Sequence, residues 1–357
     1  MKVYTKFITF TFLSSLLFVL VVTTSLVFIL NLLSEIDFFK ENNVQTFFIL
    51  FLSILNSPSM IFEIFPFILL ITTQLFFIKL FNNNEIEVFK YSGLKNSKII
   101  YIISVNTILI GIVVSTIIYN FSSNLKNFYL ELKSPYTSDG KYLAVITKNG
   151  LWIKDVIDEK ILITNASKIE KNFLINSFVS EFDKNFNVIK NYKSEKIDIR
   201  NNNWLILNAR IYEKNNYQKI EEIRLKTNFD YQKILSLYSN LSSLSLFELY
   251  ELRKNYIKLN ISITEVNLQM LKIASYPIFL LLVVIFSSLI MFRVKQINGN
   301  TFKIAVGLFF SVIIYYINNF FYVLGNTEKI NLSTSILIPL IILIFINSIM
   351  IVKINEK

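Results

Sequence analysis

The sharpest chemical signal in the chain is a short polar link between two apolar runs, residues 82–98, which read NNNEIEVFKYSGLKNSK. Read as a short helix, it can dock into a groove of a partner. Glu85 and Glu87 would meet basic residues there, Phe89 would fill an apolar pocket, and Gly93 would close the helix at its C-terminal end. An ordinary solvated loop is the alternative reading of the same composition. Covalent chemistry has no candidates. The chain holds no Cys and no His, which removes disulfides, Cys/His metal sites and every Cys- or His-based nucleophile. A phosphate-binding P-loop needs G-x-x-x-x-G-K-[ST], and no two of the 7 glycines have that spacing. No apolar span carries the buried acid–base relay expected of a proton-coupled carrier. Glu35 and Asp37 at the outer end of the first span, and Glu63 near the outer end of the second, read as interfacial and solvated. We assign no catalytic residue, no metal ligand and no cofactor.

The elements that would position this link are set by composition. Of 357 residues, 53% are hydrophobic and 17% charged, against about 25% charged in soluble domains. That deficit, with apolar runs near the length needed to cross a bilayer, indicates an integral membrane protein. The abundance of Phe, Asn, Ile and Lys reads as genomic base bias. The net charge of +11 is first explained by the positive-inside rule and not by nucleic acid.

The spacing predicts six spans. The first covers Phe7–Leu33, too long for the apolar core of a signal peptide. Val44–Leu55 is too short to cross and reads as an interfacial helix ended by Pro58. The others are Met60–Phe81 with Pro66 as a kink, Ile99–Tyr119, Leu268–Phe292, Ile304–Leu324 and Leu332–Ile351. Between spans three and four the period changes. Tyr142–Lys148 and Leu151–Asp155 tend to alternate around Asn149-Gly150, a hairpin-turn signal, Lys196–Arg200 alternates too, and Trp204–Tyr212 and Ile220–Leu225 do so less cleanly. Short strands at this spacing suggest an all-β sandwich or jelly roll, flanked by helical segments at Asn124–Leu132 and Leu246–Lys258. The expected fold class is an α-helical membrane protein of three plus three helices, with a jelly-roll-like all-β domain inserted between helices 3 and 4. Its parts are 1–119 (helices 1–3, with the link at 82–98), 120–265 (the β-domain) and 266–357 (helices 4–6).

Lys and Arg set the orientation. With the N-terminus cytoplasmic, the inside segments hold Lys2, Lys6, Lys79, Lys90, Lys95, Lys98, Arg293, Lys295, Lys303, Lys353 and Lys357, against Lys40 and Lys329 in the short outside links. The bias favours cytoplasmic termini, which puts the β-domain on the far side.

In this frame NEIEVFKYSGLK resembles the SELxxxRAxGxS segment of the lipopolysaccharide-export permeases, the YjgP/YjgQ family with its LptF and LptG branches. Glu85 and Gly93 match its acidic residue and glycine at the same separation, Ile86 its leucine, and Lys90 stands where it has arginine. SILNSPSMIFEIFPF resembles the family's proline-bearing approach to span two, through Pro58, Pro66 and Phe67. Gly150, Leu151, Trp152 and Asp155 fall in GLWIKD, close to the GLW-x-[KR]-D strand of the LptG branch. Lys272 and Pro277 fit its basic residue before a proline, and Asn318, Asn319 and Gly325 its polar residues and glycine late in span five. Together these cover the chain in order. Departures are Asn84 and Lys95 for the two serines, Tyr91 for the alanine, and no cation on the outer part of span one before Lys40.

The resemblance implies a permease subunit, LptG before LptF, of an ABC transporter that extracts lipopolysaccharide from the inner membrane of a Gram-negative cell. Residues 82–98 would be the coupling helix docked on an LptB-like ATPase dimer. An LptF-like subunit would pair with this one, spans one and five would line a lateral gate, and LptC- and LptA-like proteins would form the periplasmic bridge. Lys40, Asn318 and Asn319 would lie along the substrate path. Burial of one CH₂ is worth about 0.8 kcal/mol, so drawing a chain of about a dozen carbons from lipid costs roughly 10 kcal/mol, which calls for driven extraction. A non-transporting scaffold or sensor with an outer β-domain is the reading from a different class. A MacB/FtsX-like permease fits poorly, since that family usually has four spans with its insert after the first.

Overall fold

The structure is a computed structural model that describes residues 3–40, 44–133, 136, 143–147, 150–157, 160–170, 172–213, 216–231, 234, 241–258, 262–295 and 299–355. The chain forms two compact units. One comprises Met1–Lys126 with Asn267–Lys357, the other Asn127–Val266.

The first unit is helical. α1 (Val3–Phe38) and α2 (Thr46–Asn82) come first, and a short α3 (Glu85–Tyr91) follows. α4 (Asn96–Val113) runs through a π-helical turn (Val114–Ile118) into α5 (Tyr119–Lys133), and the chain returns through α7 (Thr264–Arg293), α8 (Asn300–Asn326) and α9 (Leu332–Asn355). Six of these stretches are long and apolar enough to cross a membrane: α1, α2, the continuous Asn96–Lys133, α7, α8 and α9.

α2 corrects one expectation. Residues 46–82 form a single helix with Pro58 and Pro66 inside it, where the sequence suggests an interfacial helix ended at Pro58. In lipid no water replaces a broken backbone hydrogen bond, so a helix persists through proline where neighbouring groups stabilise it. Here Ser53 and Ser57 donate to the carbonyls of Ile49 and Ser53 at 2.9 and 2.7 Å. Asn31 of α1 reaches across the proline turn, donating to Ser57 Oγ at 3.2 Å while its Oδ1 accepts from Asn56 at 3.1 Å. Glu35 corrects a second expectation. It is buried on α1, not solvated, because α1 lies along α2 over this length.

Between spans, small residues and polar links provide the adhesion that hydrophobicity cannot supply in lipid. A Cβ on Gly111 of α4 would come within 2.9 Å of Pro277 Cα, so the two backbones cross in close contact. Tyr276 donates to Phe62 O at 2.6 Å, Ser287 to Leu70 O at 3.2 Å and Asn347 to Leu282 O at 3.0 Å. Gln74, fully buried on α2, lies against Gly307 of α8, and a Cβ there would overlap its amide.

The second unit is built on an antiparallel sheet of seven strands in which each strand pairs with its sequence neighbours. In order these are β1 (Leu143–Thr147), β2 (Gly150–Ile157), β3 (Lys160–Glu170), β4 (Phe173–Phe182), β5 (Val188–Asp198), β6 (Asn203–Glu213) and β7 (Asn216–Lys226). A helix, α6 (Leu246–Lys258), follows. The proposed turn at Asn149 and the side chains of β1 lie outside the described residues. One face carries the core, including Leu151, Ile153, Val179, Ile197, Trp204 and Ile206. Trp204 closes it by donating its indole N–H to Phe229 O at 2.7 Å. Polar groups share this face. Glu181 is buried, accepting from Lys160 Nζ at 2.7 Å and from the Tyr192 hydroxyl at 2.9 Å. Burial, then that carboxylate, pushes the Tyr192 phenol well above its ordinary range.

The GLWIKD strand is structural. Gly150 has φ +118° and its Cα faces the carbonyl of Ala166, so neither the conformation nor the space admits a side chain. Leu151 is fully buried and Trp152 is exposed. Asp155, also buried, accepts the Asn228 backbone N–H at 2.8 Å and its side-chain amide at 2.9 Å, fastening the segment after β7 to β2. Replacing it with Ala strips these charge-assisted bonds, each worth about 1.5–3 kcal/mol. We expect Asp155→Ala to speed hydrogen exchange at Asn228 and Phe229 by more than tenfold, with exchange in the spans unchanged.

Candidate coupling helix and intramembrane cavity

α3 is positioned by its two ends. Asn84 enters it in the left-handed region (φ +56°). Gly93 leaves it at φ +76°, with Gly93 N–H bonded to Lys90 O at 2.9 Å and Leu94 N–H to Phe89 O at 2.9 Å, the paired arrangement that stops a helix. A Cβ on Gly93 would meet nothing within 4 Å, so only backbone conformation demands glycine there. Gly93→Val should therefore cost about 1–2 kcal/mol, visible as earlier protease cleavage in residues 83–95 and not as loss of the folded bundle.

Ile86 is the buried anchor of α3, at 1% exposure. Glu85 Oε1 accepts from Asn83 at 3.1 Å. Glu87 pairs with Lys295, just beyond α7, at 3.5 Å. Phe89 meets Phe7 of α1 edge-on, with ring centres 6.1 Å apart, so its ring is half-buried within this chain. The outward face is left to Glu87, Val88, Lys90 and Tyr91, the last 91% exposed. The sequence-predicted site residues of this segment are thus brought together, but Phe89 anchors and Tyr91 protrudes. In the sequence Tyr91 counts only as a departure from the family's alanine; its place one turn after Glu87, among polar neighbours, is the signal that it is exposed.

The second feature is a cavity of about 190 Å³ between α2, α7, α8 and α9. Asn318 and Asn319 line it, with Lys272, Glu63 and Tyr322. The Lys272 ammonium lies 5.2 Å from the centre of the Tyr322 ring, and Glu63 approaches Lys126 at 4.0 Å. Tyr315, Asn318 and Tyr322 recur at three- and four-residue intervals, which places them on one face of α8. Lys40 is exposed beyond the end of α1 and does not line this cavity, so the structure does not gather Lys40 with the two asparagines.

Comparison with curated proteins found no match. Among protein families, the one described as lipopolysaccharide export system permease LptF/LptG matches residues 6–353. A helical membrane unit of six apolar stretches, an antiparallel sheet between the third and fourth, and a match over nearly the whole chain lead to one conclusion: the chain belongs to the LptF/LptG family of lipopolysaccharide export permeases.

Proposed function

We propose that this chain is the LptG-type subunit of a lipopolysaccharide export complex. It pairs with an LptF-type subunit and takes its energy from an LptB-like ATPase dimer docked on α3. The termini and α3 are cytoplasmic, the β-unit is periplasmic, and the membrane is the inner one. The observation that carries this reading is α3 itself. It is anchored through Ile86 and presents Glu87, Val88, Lys90 and Tyr91 outward, between two spans of a chain whose sequence holds no P-loop. GLWIKD favours the LptG branch. α1 and α8 are the least enclosed spans, with 22% and 17% of their apolar windows buried, as helices facing a lateral gate would be. β7 is exposed along its length and ends the strand order, which suits strand addition by a bridge protein of the LptC or LptA kind.

The chain has no cysteine background, so single cysteines report topology cleanly. Ser92→Cys should be shielded from an impermeant thiol reagent in intact inner-membrane vesicles of native orientation, and Asn187→Cys, in an exposed turn of the β-unit, should react. Labelling of both from one side would overturn the reading. Mass spectrometry of proteins copurified in mild detergent should find a second permease and a small ATPase.

A further inference from the structure

β2 sends Leu151 and Ile153 into the core, and strand alternation turns Trp152 to the other face of the sheet, where it is 43% exposed. Register carries a straight row across that face. Trp152 on β2 stands opposite Asn165 on β3, which stands opposite Phe178 on β4, 41% exposed. Beyond Phe178 come Lys193 on β5, Arg210 on β6 and Lys219 on β7. Six adjacent strands spaced about 4.8 Å apart make the row roughly 24 Å long. It is aromatic at one end and cationic at the other.

The fold gains nothing from the cationic end. Lys193 is directly opposite Arg210, and Arg210 directly opposite Lys219, a pairing of like charges that destabilises a sheet. All three are exposed, and among the described residues none makes an ion pair. Glu195 and Glu221, two residues beyond Lys193 and Lys219, are exposed and make none either. The adjoining row, from Lys154 on β2 to Tyr217 on β7, holds no carboxylate. Such a strip calls for an anion from outside, and its narrowness says which kind. The middle of a sheet face has no free backbone groups, so an extended acidic peptide would lack the main-chain partners that a sheet edge gives. A linear chain of sugar rings suits it better. The C–H faces of the rings pack on Trp152 and Phe178. Asn165 donates its amide to Leu151 O at 3.3 Å, which leaves Oδ1 to accept from a hydroxyl. Phosphate or carboxylate groups meet the three cations through charge-assisted hydrogen bonds.

We propose that this row binds an acidic oligosaccharide, with sugar rings over Trp152 and Phe178 and phosphate or carboxylate groups at Lys193, Arg210 and Lys219. Two sources carry that chemistry, the sugar portion of an exported lipopolysaccharide and a free acidic glycan; the first rests on the export function proposed above.

The test uses the full chain purified in mild detergent. Of its 2 tryptophans Trp204 is buried, so a ligand on the row is read at Trp152. Titration with the phosphorylated oligosaccharide left by deacylating lipopolysaccharide should shift the emission to the blue and protect it from acrylamide, to saturation. Uncharged maltohexaose should bind at least tenfold more weakly. Arg210→Gln and Lys219→Gln keep the reporter, and each should weaken binding at least fivefold, as should Phe178→Ala. Lys329→Gln, on an exposed lysine of the helical unit, should change nothing. Hexagalacturonate, carboxylated and free of phosphate, separates the sources. Binding as tight as that of the phosphorylated ligand supports a free acidic glycan, and binding at least tenfold weaker supports the cargo. No saturable response to either acidic ligand would overturn the proposal. So would an equal response to maltohexaose, full displacement by equimolar inorganic phosphate, or wild-type affinity in both cation variants. ATPase capture by the complex is scored separately. Its loss with oligosaccharide binding kept would count against the coupling role of α3 and leave this site standing.

Discussion

Ile86→Asp should abolish capture of the ATPase while leaving the protein abundant in the membrane. Ile86 is the one buried side chain of α3. Losing its packing costs about 2–5 kcal/mol, and an unpaired carboxylate in the same place adds a desolvation penalty. A helix of 7 residues has no intrinsic stability to offset this. Its end caps and the Glu87–Lys295 pair would remain, but an exposed ion pair contributes about 1 kcal/mol at most. α3 should therefore leave its seat as a unit. Val88→Asp tests the docking face directly, since Val88 is 58% exposed and its substitution leaves the anchor intact. Both variants should lose the ATPase, and only Ile86→Asp should make the segment sensitive to protease. ATPase yields equal to wild type in both would remove α3 from the coupling pathway.

Gly307→Leu should prevent α8 from seating against α2. The first carbon of any side chain at 307 would overlap the amide of Gln74, and that amide is fully enclosed, with neither its nitrogen nor its oxygen bonded to a partner among the described residues. Overpacking usually costs about 1–3 kcal/mol, and here a polar group must also move through a close helix contact. We expect a large fall in thermal stability of the purified complex. Gly307→Ala should show a smaller fall, and Gln74→Ala should rescue it by opening the space. A double-mutant cycle of Gly307→Ala with Gln74→Ala should give a favourable coupling of about 0.5–3 kcal/mol. Additive effects would mean that the two helices do not meet at these residues.

The helical half of the fold was legible because each span is an apolar run bounded by polar links, a signal that survives without partners. Two expectations failed there, the solvation of Glu35 and the helix end at Pro58. Proline ends helices in water, but here Asn31, Ser53 and Ser57 stabilise the turn around it, and the Asn31 contact joins residues 26 positions apart. In the β-unit the alternation was clearest at Leu151–Asp155. β3, β4 and most of β5 passed unseen because Thr164, Ser177, Glu181 and Ser194 point into the core, which mutes the period-two signal. Of the site, the α3 segment could be read from its own spacing, with Gly93 as the stop. The cavity could not. Glu63, Lys272 and Asn318 come from three helices, and what joins them is the packing of those helices and not any local pattern.

The uninterrupted α2 has a mechanical consequence. Its 37 residues make a rod about 56 Å long, well beyond the roughly 30 Å of hydrocarbon. One end leads directly into α3, and the Asn31 clamp grips it two to three turns from the other. A tilt of about 5° imposed where α3 is seated would swing the distant end by roughly 5 Å over that length. A nudge delivered at α3 would thus arrive amplified at the far end of the rod, with α1 dragged along by its asparagine.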